Sequence, residues 1–108
     1  MKKNEYREMI IWLAGKGETI QAINNLSRFE EMTHDEIVVL FLDCGAGQEI
    51  EKNLHKFSGL HFSTVKKLVM RGVAATVWKN LSCFDPKDHQ KIRSLLIDNW
   101  YSNTILEF

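Results

Sequence analysis

One motif recurs three times along this chain, and that recurrence limits its fold more than any other feature. Asn25-Leu26, Asn53-Leu54 and Asn80-Leu81 are each followed, three residues after the leucine, by a phenylalanine: Phe29, Phe57 and Phe84. The spacings are 28 and 27 residues. A glycine stands eight residues before each asparagine (Gly17, Gly45, Gly72), and upstream of it Ile10/Leu13, Val38/Phe41 and Val65/Leu68 hold matching places. A fourth copy begins at Ile92 and Leu95, puts Asn99 at the glycine position and carries the pattern no further than Phe108.

Within each copy the apolar residues fall at i, i+3 and i+4, a helical rather than an alternating period. Helix starts carry side chains that accept from free N–H groups. Thr33-His34-Asp35-Glu36 is a capping box, and Asp85-Pro86 sets a capping aspartate before a proline at the first helical position. Ser63 is the expected cap in the middle copy. The repeated glycines then stop the helices, since a residue without a Cβ enters the left-handed region at little cost. Two helices per copy follow: a first set over roughly 5–15, 34–44, 63–71 and 86–98, and a second over roughly 18–29, 47–57, 74–84 and 101–107.

Helices this short do not bury an amphipathic face alone, so neighbouring copies must stack. The expected fold class is all-α, with about three and a half stacked helical hairpins of 27–28 residues, α-solenoid-like. The copies run roughly over 5–32, 33–60, 61–84 and 85–108 of a single domain, 1–108. A composition of 44% hydrophobic and 26% charged residues is globular and excludes intrinsic disorder. Asparagine in mid-helix runs against helix propensity, so its amide is expected to satisfy backbone groups at a neighbouring repeat or loop. A ligand-binding asparagine ladder is the alternative. Trp12, Trp78 and Trp100, at helical spacing, read as core or cap.

Residues suited to catalysis do not assemble into a pattern. His34 and His89 fall in the first turns of equivalent helices, and His55 and His61 are six apart with no carboxylate between them. Cys44 and Cys83 occupy non-equivalent places with no histidine beside them. Glu30-Glu31 and Asp35-Glu36 flank a helix start, where the dipole explains them. Gly15-Lys16-Gly17 and Gly45-Ala46-Gly47 lack the length and the Lys-Ser/Thr ending of a phosphate loop. No catalytic, cofactor-binding or metal-ligating residue is assigned, and the chain is expected to be no enzyme and to need no cofactor. The apolar run Met9 to Ala14 is six residues, too short for a signal sequence or a membrane span, so a soluble, cytoplasmic protein without a membrane partner is expected.

The charge is unevenly laid out. Lys plus Arg and Asp plus Glu are 14 each, a net of zero, yet residues 1–51 hold five basic and ten acidic groups. From Lys52 to Phe84 there are six cations (Lys52, Lys56, Lys66, Lys67, Arg71, Lys79) and no acidic residue. That stretch is the candidate partner-binding surface, suited to an acidic protein surface or a nucleic-acid backbone.

Two resemblances bear on this. Residues 51–71 (EKNLHKFSGLHFSTVKKLVMR) resemble a DNA-binding helix-turn-helix, with Leu54, Gly59, Leu60, Val65 and Leu68 at its apolar and turn positions. The likeness implies that Ser63, Thr64, Lys66 and Lys67 open a recognition helix, while His55 stands where that motif has a small residue. The cadence from Ile10-Ile11-Trp12-Leu13-Ala14 through Gly17 to Gln21-Ala22-Ile23 is similar to the repeats of TAL-effector-like proteins. That similarity implies base readout at the inter-helix loops, by Lys16, Cys44 and Arg71, although the family's Gly-Gly-Lys-Gln loop is absent from every copy.

The expected function is non-enzymatic binding of another macromolecule, a protein first, since repeat surfaces mostly recognise proteins, with DNA binding through 52–79 and the helix-turn-helix-like segment as the alternative. The half-made last copy carries Trp100, Tyr101, Ile105, Leu106 and Phe108. This end either folds back on the third copy or pairs with another chain, as in a homodimer through 100–108.

Overall fold

The computed structural model describes residues 2–29 and 31–98. Among them the chain is all-helical, with no strand and one isolated parallel bridge, Leu60 to Phe84. The helices are α1 (Lys3–Gly15), α2 (Thr19–Ile23), α3 (His34–Asp43), α4 (Gly47–Lys52), α5 (Phe62–Met70), α6 (Ala74–Lys79) and α7 (His89–Asp98). None of these is long and apolar enough to cross a membrane. The helix expected over 101–107, with Asn99 and the apolar group Trp100, Tyr101, Ile105, Leu106 and Phe108, lies outside the described residues.

The first helix of each of the three full copies stops in the same way. Gly17, Gly45 and Gly72 have φ of +72°, +82° and +84°. Each glycine N–H donates to the carbonyl three residues back, on Ala14 (3.1 Å), Leu42 (3.2 Å) and Val69 (2.9 Å). The next residue reaches five back, Glu18 to Leu13 (2.9 Å), Ala46 to Phe41 (2.9 Å) and Val73 to Leu68 (3.3 Å). This pair of bonds is the Schellman motif, and it satisfies carbonyls that the helix end leaves free.

The second element of each copy differs from expectation. Instead of one helix over 18–29, 47–57 or 74–84, a short α-helix ends at the repeated asparagine (one residue earlier, at Asn24, in the first copy) and a 3₁₀ turn follows: Leu26–Arg28, Leu54–Lys56 and Leu81–Cys83. Asn25, Asn53 and Asn80 leave helical geometry, with φ of −129°, −120° and −122°. Each amide Nδ2 donates to the carbonyl four residues earlier, on Gln21 (2.7 Å), Glu49 (2.8 Å) and Thr76 (2.8 Å). The asparagine therefore stands at a break rather than in mid-helix, and it serves its own copy rather than a neighbour. An apolar spacing of three and four residues fits a short α-helix and an α-to-3₁₀ junction equally well, which is why the period concealed the break.

Two of the three expected caps form. The Glu36 N–H donates to Thr33 Oγ1 and the Thr33 N–H to Glu36 Oε1, both at 3.1 Å. Asp85 accepts from the Lys87 N–H at 3.1 Å, ahead of a 3₁₀ turn, Pro86–Asp88, that leads into α7. Ser63 does not cap: α5 begins at Phe62 with His61 at the cap position and no side-chain cap bond. The chain before α5 is held instead by Leu60, whose N–H donates to Cys83 O (3.0 Å) and whose carbonyl accepts from Asp85 N–H (3.3 Å).

The fold gathers into two compact units, Met1–Phe57 and the part from Ser58 onward. In the first, α1 packs on α2 and α3, and α3 on α4. Its core holds Ile10, Ile23, Phe29, Ile37, Phe41, Ile50, Leu54 and Phe57, with Tyr6 edge-on to Phe29 at 5.7 Å. In the second, α5 packs on α6 and α7 around Val65, Leu68, Val77, Phe84, Ile92 and Leu96. Both units thus set the first helix of one copy against the first helix of the next.

Candidate functional site

The groups that carry chemistry are dispersed. Among the described residues no cluster of three or more His, Cys, Asp or Glu is placed to hold a metal ion. Neither cysteine is in a disulfide; Cys44 is exposed and Cys83 buried, and burial pushes the Cys83 thiol up. His34 lies edge-on to Phe57 at 5.8 Å, and a His89 ring nitrogen sits 3.1 Å from the Phe84 carbonyl oxygen, so both help to build the core.

Lys16, Cys44 and Arg71 occupy the residue just before each left-handed glycine, with ψ of 0°, 3° and −2°. One backbone geometry therefore presents three different exposed side chains. The six cations of the acid-free stretch are all exposed. Lys52 and Lys56 belong to the first unit, where Lys56 Nζ donates to Asn24 Oδ1 at 3.1 Å. Lys66, Lys67, Arg71 and Lys79 belong to the second. There Lys67 of α5 and Arg71, the cap residue just past its end, stand at i, i+4 spacing. Lys66 lies on another side, its Nζ 5.2 Å from the Phe62 ring centroid, with Lys91 Nζ at 5.9 Å from the same ring. Lys91 and Phe62 were not among the residues the sequence singled out. Their partnership depends on α5 and α7 meeting, which no local pattern reveals.

Residues 51–71, which resemble a helix-turn-helix, hold the end of α4, a 3₁₀ turn and α5. Gly59 has φ +66°, as a turn glycine should, and α5 supplies a helix after it. Before the turn the likeness needs a continuous helix. Here α4 stops at Lys52 and a single 3₁₀ turn follows Asn53. No family model, curated protein or solved structure matches the chain. Both likenesses therefore rest on the residues that carry them.

A further surface lies on α1, in the first unit. Tyr6 and Ile10 point into the core, while Met9 and Trp12 remain 38% and 58% exposed. Lys16 Nζ stands 5.9 Å from the Trp12 ring centroid. Beside this helix a groove of about 340 Å³ opens, walled by Tyr6, Met9, Leu13, Ala22 and Phe29 and rimmed by Gln21, Asn25 and Arg28. Glu5 and Glu8 border the Met9–Trp12 side. Apolar walls with a polar rim suit a protein side chain better than a phosphate backbone. Near the N-terminus Lys3 pairs with Glu36, and that ammonium, with the Thr33 N–H, holds the Glu36 carboxyl below its ordinary range.

Proposed function

We propose that the chain is a non-enzymatic helical-repeat module, its hairpins stacked in α-solenoid manner, that binds another protein. The recurrence of one helix stop, one asparagine break and one buried phenylalanine in three copies supports the repeat architecture, as does the packing of α1 on α3 and of α5 on α7. The observation that carries protein binding is the open apolar face of α1, with Met9 and Trp12 exposed beside a groove. Large aromatic side chains at such positions are the usual anchors of protein interfaces.

Co-purification from the native host tests this with two variants. Trp12→Glu is expected to lose a specific protein partner, and Lys66→Glu with Lys67→Glu to keep it. Loss of the partner only in the lysine variant refutes the α1 face.

A second proposal, DNA or RNA binding, is favoured by Phe62 between Lys66 and Lys91, an aromatic ring flanked by cations. It extends to Lys52, Lys56, Arg71 and Lys79, with Lys16, Cys44 and Arg71 as loop readout. Fluorescence anisotropy with mixed DNA and RNA decides it. Binding that weakens steeply with salt and vanishes in the double lysine variant supports nucleic acid, and no binding at low salt removes it.

A further inference from the structure

We infer that the protein received at the α1 face is a second copy of this chain, its α1 laid antiparallel across the first about a two-fold axis. This rests on the protein-binding proposal and names its partner.

Among the exposed residues of α1, which also include Arg7, Glu8 and Ile11, three continue with the cap residue Lys16 as one stripe. Glu5, Met9, Trp12 and Lys16 follow at intervals of four, three and four residues, the spacing of a two-helix coiled-coil seam. All four are exposed, whereas Tyr6 and Ile10 on the other side are buried.

The stripe is complementary to itself when run in reverse. With the axis level with the Ile10–Ile11 peptide, Met9 of one copy faces Trp12 of the other, and Glu5 faces Lys16. Each contact occurs twice, which is what a two-fold interface requires. The apolar residues meet at the centre and an acid–base pair closes each end. Parallel pairing would set Glu5 on Glu5 and Lys16 on Lys16, so like charge disfavours that orientation. The groove beside Met9 and Leu13 leaves room for the second indole.

The repeat itself shows what kind of element such a stripe receives. One copy on, the equivalent positions are Thr33, Ile37, Leu40 and Cys44. Ile37 and Leu40 there are 0% and 7% exposed, and α3 has α1 as its neighbour. Glu36, the equivalent of Glu8, pairs with Lys3 on that neighbouring helix. The same register of side chains that takes a helix in the second copy is open in the first.

Sedimentation equilibrium of the full chain between about 10 µM and about 1 mM, the range for a small two-helix interface, is the test. The weight-average mass is expected to rise from monomer toward dimer, and Trp12→Glu to return it to monomer. Glu5→Lys and Lys16→Glu, each setting like charges opposite at both ends, are each expected to weaken association about tenfold. An equimolar mixture of these two variants is expected to recover it, because Lys at position 5 then meets Glu at position 16. Glu5 also accepts from the Lys2 N–H at the start of α1 (3.2 Å), so the far-UV circular dichroism of each variant is recorded beside its mass, and recovery in the mixture separates a lost charge pair from a frayed helix start.

A monomer at every concentration overturns the inference, as does a dimer that survives Trp12→Glu or a mixture no stronger than its components. A chain that stays monomeric yet loses a different protein partner on Trp12→Glu overturns self-pairing alone and leaves protein binding standing.

Discussion

Two glycines two residues apart in the first copy should respond oppositely to the same substitution. Gly15 is the last residue of α1, without a positive φ, and Gly17 has φ +72°. A Cβ built at either meets no heavy atom within 4 Å, so crowding contributes nothing at either place. Gly15→Ala then acts through the unfolded chain and helix propensity, and is expected to stabilise by about 0.5 kcal/mol. Gly17→Ala gains a similar amount from the unfolded state but must hold alanine in the left-handed region, at about 1–2 kcal/mol. Its net cost is about 1 kcal/mol. The two variants thus differ by about 1.5 kcal/mol, which in urea separates their midpoints by about 1 M for a small protein. Urea titration followed by far-UV circular dichroism measures this directly. Gly45→Ala and Gly72→Ala, with the same φ and the same open space, should each cost about as much as Gly17→Ala. A neutral or stabilising Gly17→Ala, or a Gly15→Ala as costly as Gly17→Ala, would refute the left-handed stop as the device that ends each first helix.

Three further outcomes are expected. Thr33→Ala removes the hydroxyl that accepts from the Glu36 N–H, while the backbone N–H of residue 33 can still donate to Glu36, and should cost about 1 kcal/mol in thermal or urea unfolding. Glu36 has its carboxyl lowered by Lys3 and the Thr33 N–H, so its contribution is present above the ordinary carboxylate value, about 4.3, and is lost as pH falls through the lowered folded value. Glu36→Gln should therefore flatten the fall in stability between neutral and strongly acid pH; an unchanged acid limb would remove the ion pair as a contributor. Asn53→Ala frees the Glu49 carbonyl in a half-buried place and should cost about 1 kcal/mol, and Asn53→Asp at least as much, because a carboxylate cannot donate to that carbonyl. Equal stability of the parent and both Asn53 variants would mean that water replaces the amide at no cost.

Much of the fold is legible locally because the signals that start and stop its first helices are local. The Schellman bonds at Gly17, Gly45 and Gly72 span only six residues each, and the Thr33–Glu36 box spans four. Those helices accordingly form close to where the residues mark them. Ser63 shows the limit. Its neighbourhood holds an acceptable cap, yet α5 starts at Phe62, in a segment tied through Leu60 to Cys83 and Asp85, more than twenty residues away. The second elements fail for another reason. A run of about ten residues with apolar side chains three and four apart suits either helix type, and the fold ends the α-helix so that Phe29, Phe57 and Phe84 turn into the core.

The candidate surface divides in the same way. That Glu5, Met9, Trp12 and Lys16 form a stripe is a property of the sequence, since a helix of known register orders its side chains by number alone. Whether the stripe is open is not. Met9 and Ile37 are equivalent in the repeat and similar in chemistry, yet one is 38% exposed and the other fully buried: α3 has α1 beside it, whereas Met9 borders an open groove. By itself the sequence determined the repeat, the two elements in each copy and the points where the first helices end, all set by torsions and hydrogen bonds within a few residues. The tertiary structure alone decided which copies of one pattern are covered, because burial belongs to a residue's neighbours in space.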